Sequence, residues 1–501
     1  MSTKTLVILA AVALLGLGHL AYPFSGDQAM FVLAARDLDD GAVLYRDFWD
    51  FKQPGIFAFY WAAGRVLGFD EIGVHALELA WMLGLSLVLV VTLRRWTSSA
   101  FVAGLAPLLT VGNYYAVSES WHLTQVEGLV GLPLYLALWY ASTPARPWRL
   151  FVSGVMGGLV LLLKLMFLPI LAAFWLTALA WDVVRHGLGV RRLAAVVAPI
   201  VGGCLAPILV ALAYFVWTDS LGVAAWTWFD FPRAVVREIP APSLWRLFTA
   251  LVWFASGFSW LLALAVIGGA VAARRRDDVV GVNLVLWCLV GGGVILVQVQ
   301  SWWQYHFHLL FVPVGVLAAV GLDALRTWMR AGDRFLAGRW GTALLLLALA
   351  CLAAPTLGVL ARKTVALVEH RFARDPDARR RYQRQVSRDY ATTLDEVAFL
   401  GEPGSLPGRI YVFGDPLYHL LSERGQAIPL NGWFMEVAPA EQWAQVTAQL
   451  DAARPPYVFV APTEAALIAR HAPALDAFLR TAYRPLRESR AGVWYVRAAS
   501  R

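Results

Sequence analysis

Residues 25–73 read SGDQAMFVLAARDLDDGAVLYRDFWDFKQPGIFAFYWAAGRVLGFDEIG, and the fold turns on this stretch. It lies between two apolar runs, 6–21 and 74–93, yet it carries Asp27, Asp37, Asp39, Asp40, Asp47, Asp50, Lys52, Asp70 and Glu71. Its apolar residues fall at helical spacing. Residues 28–40 read as one amphipathic helix stopped by Gly41, a residue that ends helices because it turns left-handed without a Cβ penalty. Pro54-Gly55 opens a second helix through Gly64. Two amphipathic helices joined to membrane spans are expected to lie in the interface plane.

Outward from this loop the chain is strongly apolar. Of 501 residues, 59% are hydrophobic and 15% charged, against about 45–50% and about 25% in soluble proteins. That composition excludes a set of ordinary soluble domains and defines a polytopic α-helical membrane protein. The formal charge of +8 does not point to nucleic acid, because Lys and Arg fall in short clusters between apolar runs, as topology signals do. Cys204, Cys288 and Cys351 all lie inside apolar runs and read as small packing residues. The N-terminal run after Lys4 has the look of a signal peptide, but so many apolar segments follow that it reads as an uncleaved first span.

A span needs about 20 apolar residues. The candidates are 6–21, 74–93, 101–117, 123–141, 150–163, 165–181, 193–217, 247–272, 279–297, 305–325 and 342–360. The fifth and sixth are separated only by Lys164. Fused, they make a helix of about 48 Å, too long for a hydrocarbon core of about 30 Å. Kept apart, with Lys4 in the cytoplasm, they place the clusters at Arg94/Arg95, Arg146/Arg149, Arg185/Arg191/Arg192, Arg274/Arg275/Arg276 and Arg326/Arg330/Arg334/Arg339 on the cytoplasmic side, as the positive-inside rule requires. The count is therefore about eleven transmembrane helices. Three parts then lie outside: the loop 22–73, the Trp- and Pro-rich loop 218–246, and everything after residue 362.

That last part changes character. Charge becomes frequent over 362–396. Short β-like runs follow at 409–413, 457–460 and 493–496, with helical patterning at 440–452 and 463–480. Strands alternating with helices describe a small extracytoplasmic α/β domain. The expected division is a transmembrane domain over 1–361 and an outer helical linker with the α/β domain over 362–501. Gly414-Asp415-Pro416 follows a strand, but without a G-x-G-x-x-G pattern it reads as a loop at a strand end.

The chemistry concentrates in the first loop. Asp27 comes directly after the first span, where a carboxylate is only partly hydrated and is placed to act as a base; it also suits the N-cap of the helix that follows. Asp37-Leu38-Asp39 has the form of a D-x-D motif, but on a surface helix such acids are ordinarily solvated. Trp226, Trp228 and Phe229 suit either an aromatic belt or stacking on a sugar or prenyl chain.

The run Tyr45, Arg46, Asp47, Asp50, Lys52, Pro54 and Gly55, in the pattern Tyr-Arg-Asp-x-x-Asp-x-Lys-x-Pro-Gly after an acid that closes the first span, resembles the type C (GT-C) glycosyltransferases. The likeness is to the family 39-like and Rgt-type membrane enzymes, relatives of protein mannosyltransferases and the aminoarabinose transferase. Glu127 in Thr-Gln-Val-Glu resembles the acid of the family's Asn-Thr-Glu-type segment, Lys164 follows a Gly-rich helix as in the family, and Tyr305-His306-Phe307-His308 before Pro313 resembles its Tyr/His-rich late span. The match covers about the first 320 residues; the tail resembles outer domains that bacterial members append.

The resemblance implies an inverting transfer from a polyprenyl-phosphate sugar donor to a glycan, lipid or protein acceptor at the outer face of a bacterial inner membrane. It implies Asp27 as base, with Glu127 orienting the acceptor or the base. It implies Lys52, Lys164, His306, and Arg233 or Arg237, against the leaving phosphate, with Tyr45, Arg46, Asp47 and Asp50 completing substrate contacts. Each has a plainer reading beside it: Lys164 snorkelling from a hairpin tip, Glu127 in a buried structural hydrogen bond, and His306 and His308 two positions apart on different faces rather than on one metal. No metal site is expected from the residues, although some family members bind a divalent ion through first-loop acids. Two other classes compete: a transporter or flippase of lipid-linked sugars, for which repeated halves are expected, and a non-catalytic scaffold that binds envelope glycan.

Overall fold

The computed structural model describes residues 2–97, 99–142, 146–240, 243–275, 278–299, 301–330, 339–371 and 377–498. Arg276 and Arg334, two of the topology charges, lie outside them. Among the described residues, eight helices are long and apolar enough to cross a membrane: Glu71–Trp96, Ala100–Val117, Leu165–His186, Val190–Trp217, Leu244–Arg274, Val279–Val297, Gln304–Arg330 and Gly341–His370. Three shorter apolar helices, Thr3–Leu17, Val126–Ala141 and Pro147–Leu163, complete the expected series of eleven. The chain is a multi-pass membrane protein.

The break at Lys164 is real: the helix Pro147–Leu163 stops, Lys164 is extended with φ −162° and ψ 114°, and a short turn leads into Leu168–His186.

The chain divides into two compact units. The first comprises Met1–Leu20, His75–Ala211 and Pro242–Val368; the second comprises Ala21–Val74, Leu212–Ala241 and Glu369–Arg501. The division differs from the expected boundary at 361/362, because the last helix runs on to Arg371 and the first-loop segment groups with the tail.

In the first unit, most of the apolar stretch of Gln304–Arg330 is buried and forms the centre, whereas almost none of that of Gly341–His370 is buried, and it lies at the rim. Small residues let the central helix meet Leu244–Arg274 backbone to backbone. A Cβ on Gly268 would stand 1.9 Å from the Leu317 carbonyl, and one on Gly321 would stand 2.0 Å from that of Leu264. Such small-residue seams are how membrane helices gain packing where no hydrophobic drive separates helix from lipid.

The second unit contains the α/β domain. Its four strands are β1 (Tyr411–Phe413), β2 (Tyr457–Val460), β3 (Tyr483–Glu488) and β4 (Val493–Arg497), in the order β1-β2-β4-β3. β1 and β2 are parallel and the remaining pairs antiparallel. β3 escapes sequence reading because Tyr-Arg-Pro-Leu-Arg-Glu alternates poorly. It is an edge strand, exposed after Tyr483 and irregular between Pro485 and Arg487, where charge and proline are tolerated and block further pairing. The helical run 463–480 is two helices, Pro462–His471 and Pro473–Ala482, split where Pro473 cannot continue the first.

The first-loop helices belong to the same unit. Asp27–Asp39 is buried on every side from Asp27 to Ala35, so it is not the half-exposed interfacial helix that its pattern suggests. Tyr60 and Phe57 of Pro54–Leu67 pack edge-on against Phe31 at 5.2 and 5.6 Å. Asp39 clamps the pair from outside through Trp61 and Arg65, which accounts for one acid of the D-x-D-like run.

Candidate functional site

Asp27 is the first residue of its helix and is 5% exposed. The turn into it is set by Gly26, whose φ of +50° is a left-handed value that favours glycine. The indole N–H of Trp433 donates to Asp27 Oδ1 at 2.9 Å, and Lys52 Nζ stands 3.5 Å from Asp27 Oδ2. Lys52 is held by rings: its ammonium lies over Phe434, Phe51 and Phe31 at 4.4, 4.7 and 5.2 Å from their centroids. A cation over aromatic faces is stabilised electrostatically and kept at short range of its carboxylate.

Asp50 serves this lysine. Its Oδ1 accepts the Lys52 backbone N–H at 2.9 Å and lies 3.9 Å from Lys52 Nζ. Burial pushes the Asp50 carboxyl upward, opposed by the Lys52 charge. Tyr45 donates to the Lys52 carbonyl at 2.6 Å and receives the Trp228 N–H at 3.0 Å. Tyr45 thus fixes the backbone of the loop from a buried position at φ +67°. Arg46 and Asp47 pair with each other at the exposed turn, and Asp47 also accepts the Val43 N–H. Arg233 and Arg237 are exposed and pair with Asp230 and Glu238. Among the first-loop candidates, then, the structure brings Asp27, Lys52 and Asp50 together, places Tyr45 beneath them, and leaves Arg46 and Asp47 at the surface. Trp226 and Trp228 wall this loop, against Trp49 and Tyr45 respectively, whereas Phe229 is exposed.

The first unit holds a second cluster. Lys164 Nζ donates to Glu127 Oε1 at 2.6 Å, and His306 Nε2 stands 3.7 Å from the same oxygen. Glu127 and His306 are buried; the Lys164 side chain is 20% exposed. Three sequence-distant residues therefore meet because a helix break presents Lys164 and a 3₁₀ turn, Gln304–Leu310, presents His306. His308 turns away to Tyr114 and Trp253, as a spacing of two implies.

Two further ionisable residues of this unit are not marked by the motifs, and one of them braces the turn before Glu127. Glu78 accepts from Tyr114 Oη, from the Thr124 N–H at 3.0 Å and from Thr124 Oγ1 at 2.9 Å. It thereby holds Thr124 at φ +52°, three residues before Glu127. Lys363 donates to the carbonyls of Tyr115 and Ala116 at 3.1 Å and to that of Ser118, closing the C-terminus of the helix Asn113–Val117. A charge inside an apolar run is the signal that marks Glu78; Lys363 follows the last run, beside Arg362, and is not marked in that way. Trp433 and Asn431 carry no such signal. Among the described residues, no three His, Cys, Asp or Glu side chains converge to hold a metal ion.

Among the described residues, eleven apolar helices, an acid-bearing first loop grouped with an α/β tail, and a helix break carrying a lysine make up a fold shared with solved type C glycosyltransferases. The chain superposes on ArnT from Cupriavidus metallidurans bound to undecaprenyl phosphate with a TM-score of 0.63 and 14% identity, over 100% of this chain and 99% of that one. It matches the apo state of the same enzyme at a TM-score of 0.60, also with 14% identity, over 98% and 97% of the two chains. The oligosaccharyltransferase of Archaeoglobus fulgidus in its apo form matches at 0.50 with 12% identity, over 91% of this chain and 69% of that one. At such identities the likeness is one of fold. No protein-family model matches the sequence, and no curated protein matches it.

Proposed function

We propose that this protein is an inverting glycosyltransferase that takes a sugar from a polyprenyl phosphate and passes it to a hydroxyl or amine of a lipid, glycan or protein. The observation that carries the reading is the buried Asp27 carboxylate, held by Trp433 beside the ring-caged Lys52, on the fold of an enzyme solved with undecaprenyl phosphate.

The acceptor atom bonds to the anomeric carbon as the bond from that carbon to the phosphate oxygen breaks. Asp27 takes the acceptor's proton. Polyprenyl phosphate leaves with the bonding electrons, and a cation stabilises its charge. Lys52 suits that part because its rings hold it without hydrogen-bonding it, so it can turn from Asp27 to an arriving phosphate. Lys164 and His306 suit a second anionic or hydroxyl-bearing group, with Glu127 setting their direction. The chemistry as written uses this chain's own residues and requires no metal. The first loop and the tail are read as extracytoplasmic, in a bacterial inner membrane.

The test is donor consumption by purified protein in lipid, with a panel of radiolabelled polyprenyl-phosphate sugars. Asp27→Asn is expected to lower turnover at least about a thousandfold, the scale on which removal of a catalytic base acts. A transporter or a glycan-binding scaffold would show no donor cleavage and would tolerate the substitution.

A further inference from the structure

The α/β domain is covalently distant from the first loop, yet one of its segments, residues 426–435, is built into it. The backbone N–H of Trp49 donates to the Pro429 carbonyl at 2.9 Å, and Asn431 Nδ2 donates to the Trp49 carbonyl at 2.8 Å. Trp49 and Leu430 form a β-bridge. From this splice Trp433 reaches Asp27. Its ring lies so close over Gly26 that a Cβ there would stand 3.0 Å from it. From the end of β1, Asp415 accepts the Gly26 N–H through both carboxylate oxygens at 3.2 and 3.3 Å.

We infer that the C-terminal domain is a working part of the transfer site, with Trp433 and Asp415 as positioning residues that orient the Asp27 carboxylate. The inference rests on the reading of Asp27 as the base.

An indole N–H donates and never accepts. Its bond to Oδ1 therefore fixes which carboxylate oxygen faces Lys52. Asp415 holds the Ser25–Gly26 peptide, one residue ahead of Asp27, so the carboxylate and the backbone leading into the base are each held by this domain. Small displacements at a reacting atom cost large factors in rate. Truncating the domain would leave Asp27 in the chain but without the partner that aims it.

The test uses the full-length protein in lipid with the donor that wild type consumes. Trp433→Phe keeps the ring and removes the N–H; Asp415→Ala removes the acceptor for Gly26. Each is expected to lower kcat about tenfold to a hundredfold with the donor KM within about twofold. In an Asp27→Asn background neither is expected to lower the residual rate further, since the group they aim is gone. Melting midpoints check that each variant is folded. Should Trp433→Phe fail to fold, Trp433→His supplies a shorter ring with an N–H donor, and its kcat is expected to exceed that of Trp433→Leu. Unchanged kcat in folded Trp433→Phe and Asp415→Ala, with wild type active, overturns the positioning role and leaves the transfer reading standing. Silence of wild type toward every donor overturns the transfer reading itself, and the positioning of a base falls with it.

Discussion

At the scale of single residues, buried charges carry most of what this protein specifies. Glu127 and Lys164 illustrate the cost. Breaking a buried pair by removing one member leaves an uncompensated charge, which costs on the order of 3 kcal/mol. Lys164→Met is therefore expected to lower the melting midpoint more than the double substitution Lys164→Met/Glu127→Gln, in which no charge is stranded. Equal midpoints for the two would show that the pair at 2.6 Å is not felt as a pair. Asp415 makes a pH prediction. Burial, with Asp389 and Asp27 adding, raises its carboxyl to about 6, against opposing hydrogen bonds from the Leu417 and Gly26 N–H groups. A carboxyl raised above its unfolded value of about 3.9 favours the folded state at low pH, and that contribution fades as pH climbs through the folded value. Asp50 shifts in the same direction, while Asp47, held down by Arg46, acts in the opposite sense at lower pH. Between pH 4 and 7 the Asp415→Asn melting midpoint is expected to fall less than that of wild type. Parallel curves would exclude Asp415 as a titrating group in this range.

At the scale of elements, the decisive features are breaks and close crossings. Helix Pro147–Leu163 ends at Lys164 instead of running on, and that interruption puts an ammonium where Glu127 can meet it. Arithmetic on span length made the break legible, since a fused helix fits no bilayer. The crossing at Gly268 and Gly321 was less legible, because a glycine in an apolar run does not say which helix it faces. Gly268→Leu is expected to push the Leu317 carbonyl away and to destabilise the bundle by about 3 kcal/mol. Gly292→Leu, on the helix Val279–Val297 where a Cβ meets nothing within 4 Å, should be nearly neutral. Comparable losses in folded yield for both would mean that the seam is not what holds these helices. The edge strand β3 was hidden for a related reason: its exposed face removes the alternation by which strands are recognised.

At the scale of the whole molecule, the three segments that charge counting assigns to one side of the membrane are the three that make up the second unit: Ala21–Val74, Leu212–Ala241 and Glu369–Arg501. Segments packed into one unit must share a side. Among the described residues, six apolar helices separate the first from the second and four separate the second from the third, an even number each time. Fusing the helices on either side of Lys164 would make the first interval odd, and the unit could not form. Single cysteines at Asp47 and Glu402, both exposed, in a background lacking Cys204, Cys288 and Cys351, are expected to label together from outside intact cells. Labelling of one alone would break the even count; labelling of neither would invert the proposed orientation.

By itself the sequence determined the spans, the break at Lys164, the parity of the loops, and the candidacy of Asp27, Lys52, Glu127, Lys164 and His306. Those properties follow from local quantities, apolar length and charge placement, that a bilayer reads one segment at a time. Tertiary structure alone decided which charges meet: that Lys52 is caged by Phe31, Phe51 and Phe434, that Glu78 braces the turn before Glu127, and that Trp433 touches Asp27 across 406 residues. A hydrogen bond between residues so far apart leaves no period and no motif in the chain. Its existence depends on how an α/β domain folds and where its loop comes to rest, which only packing of the whole unit specifies.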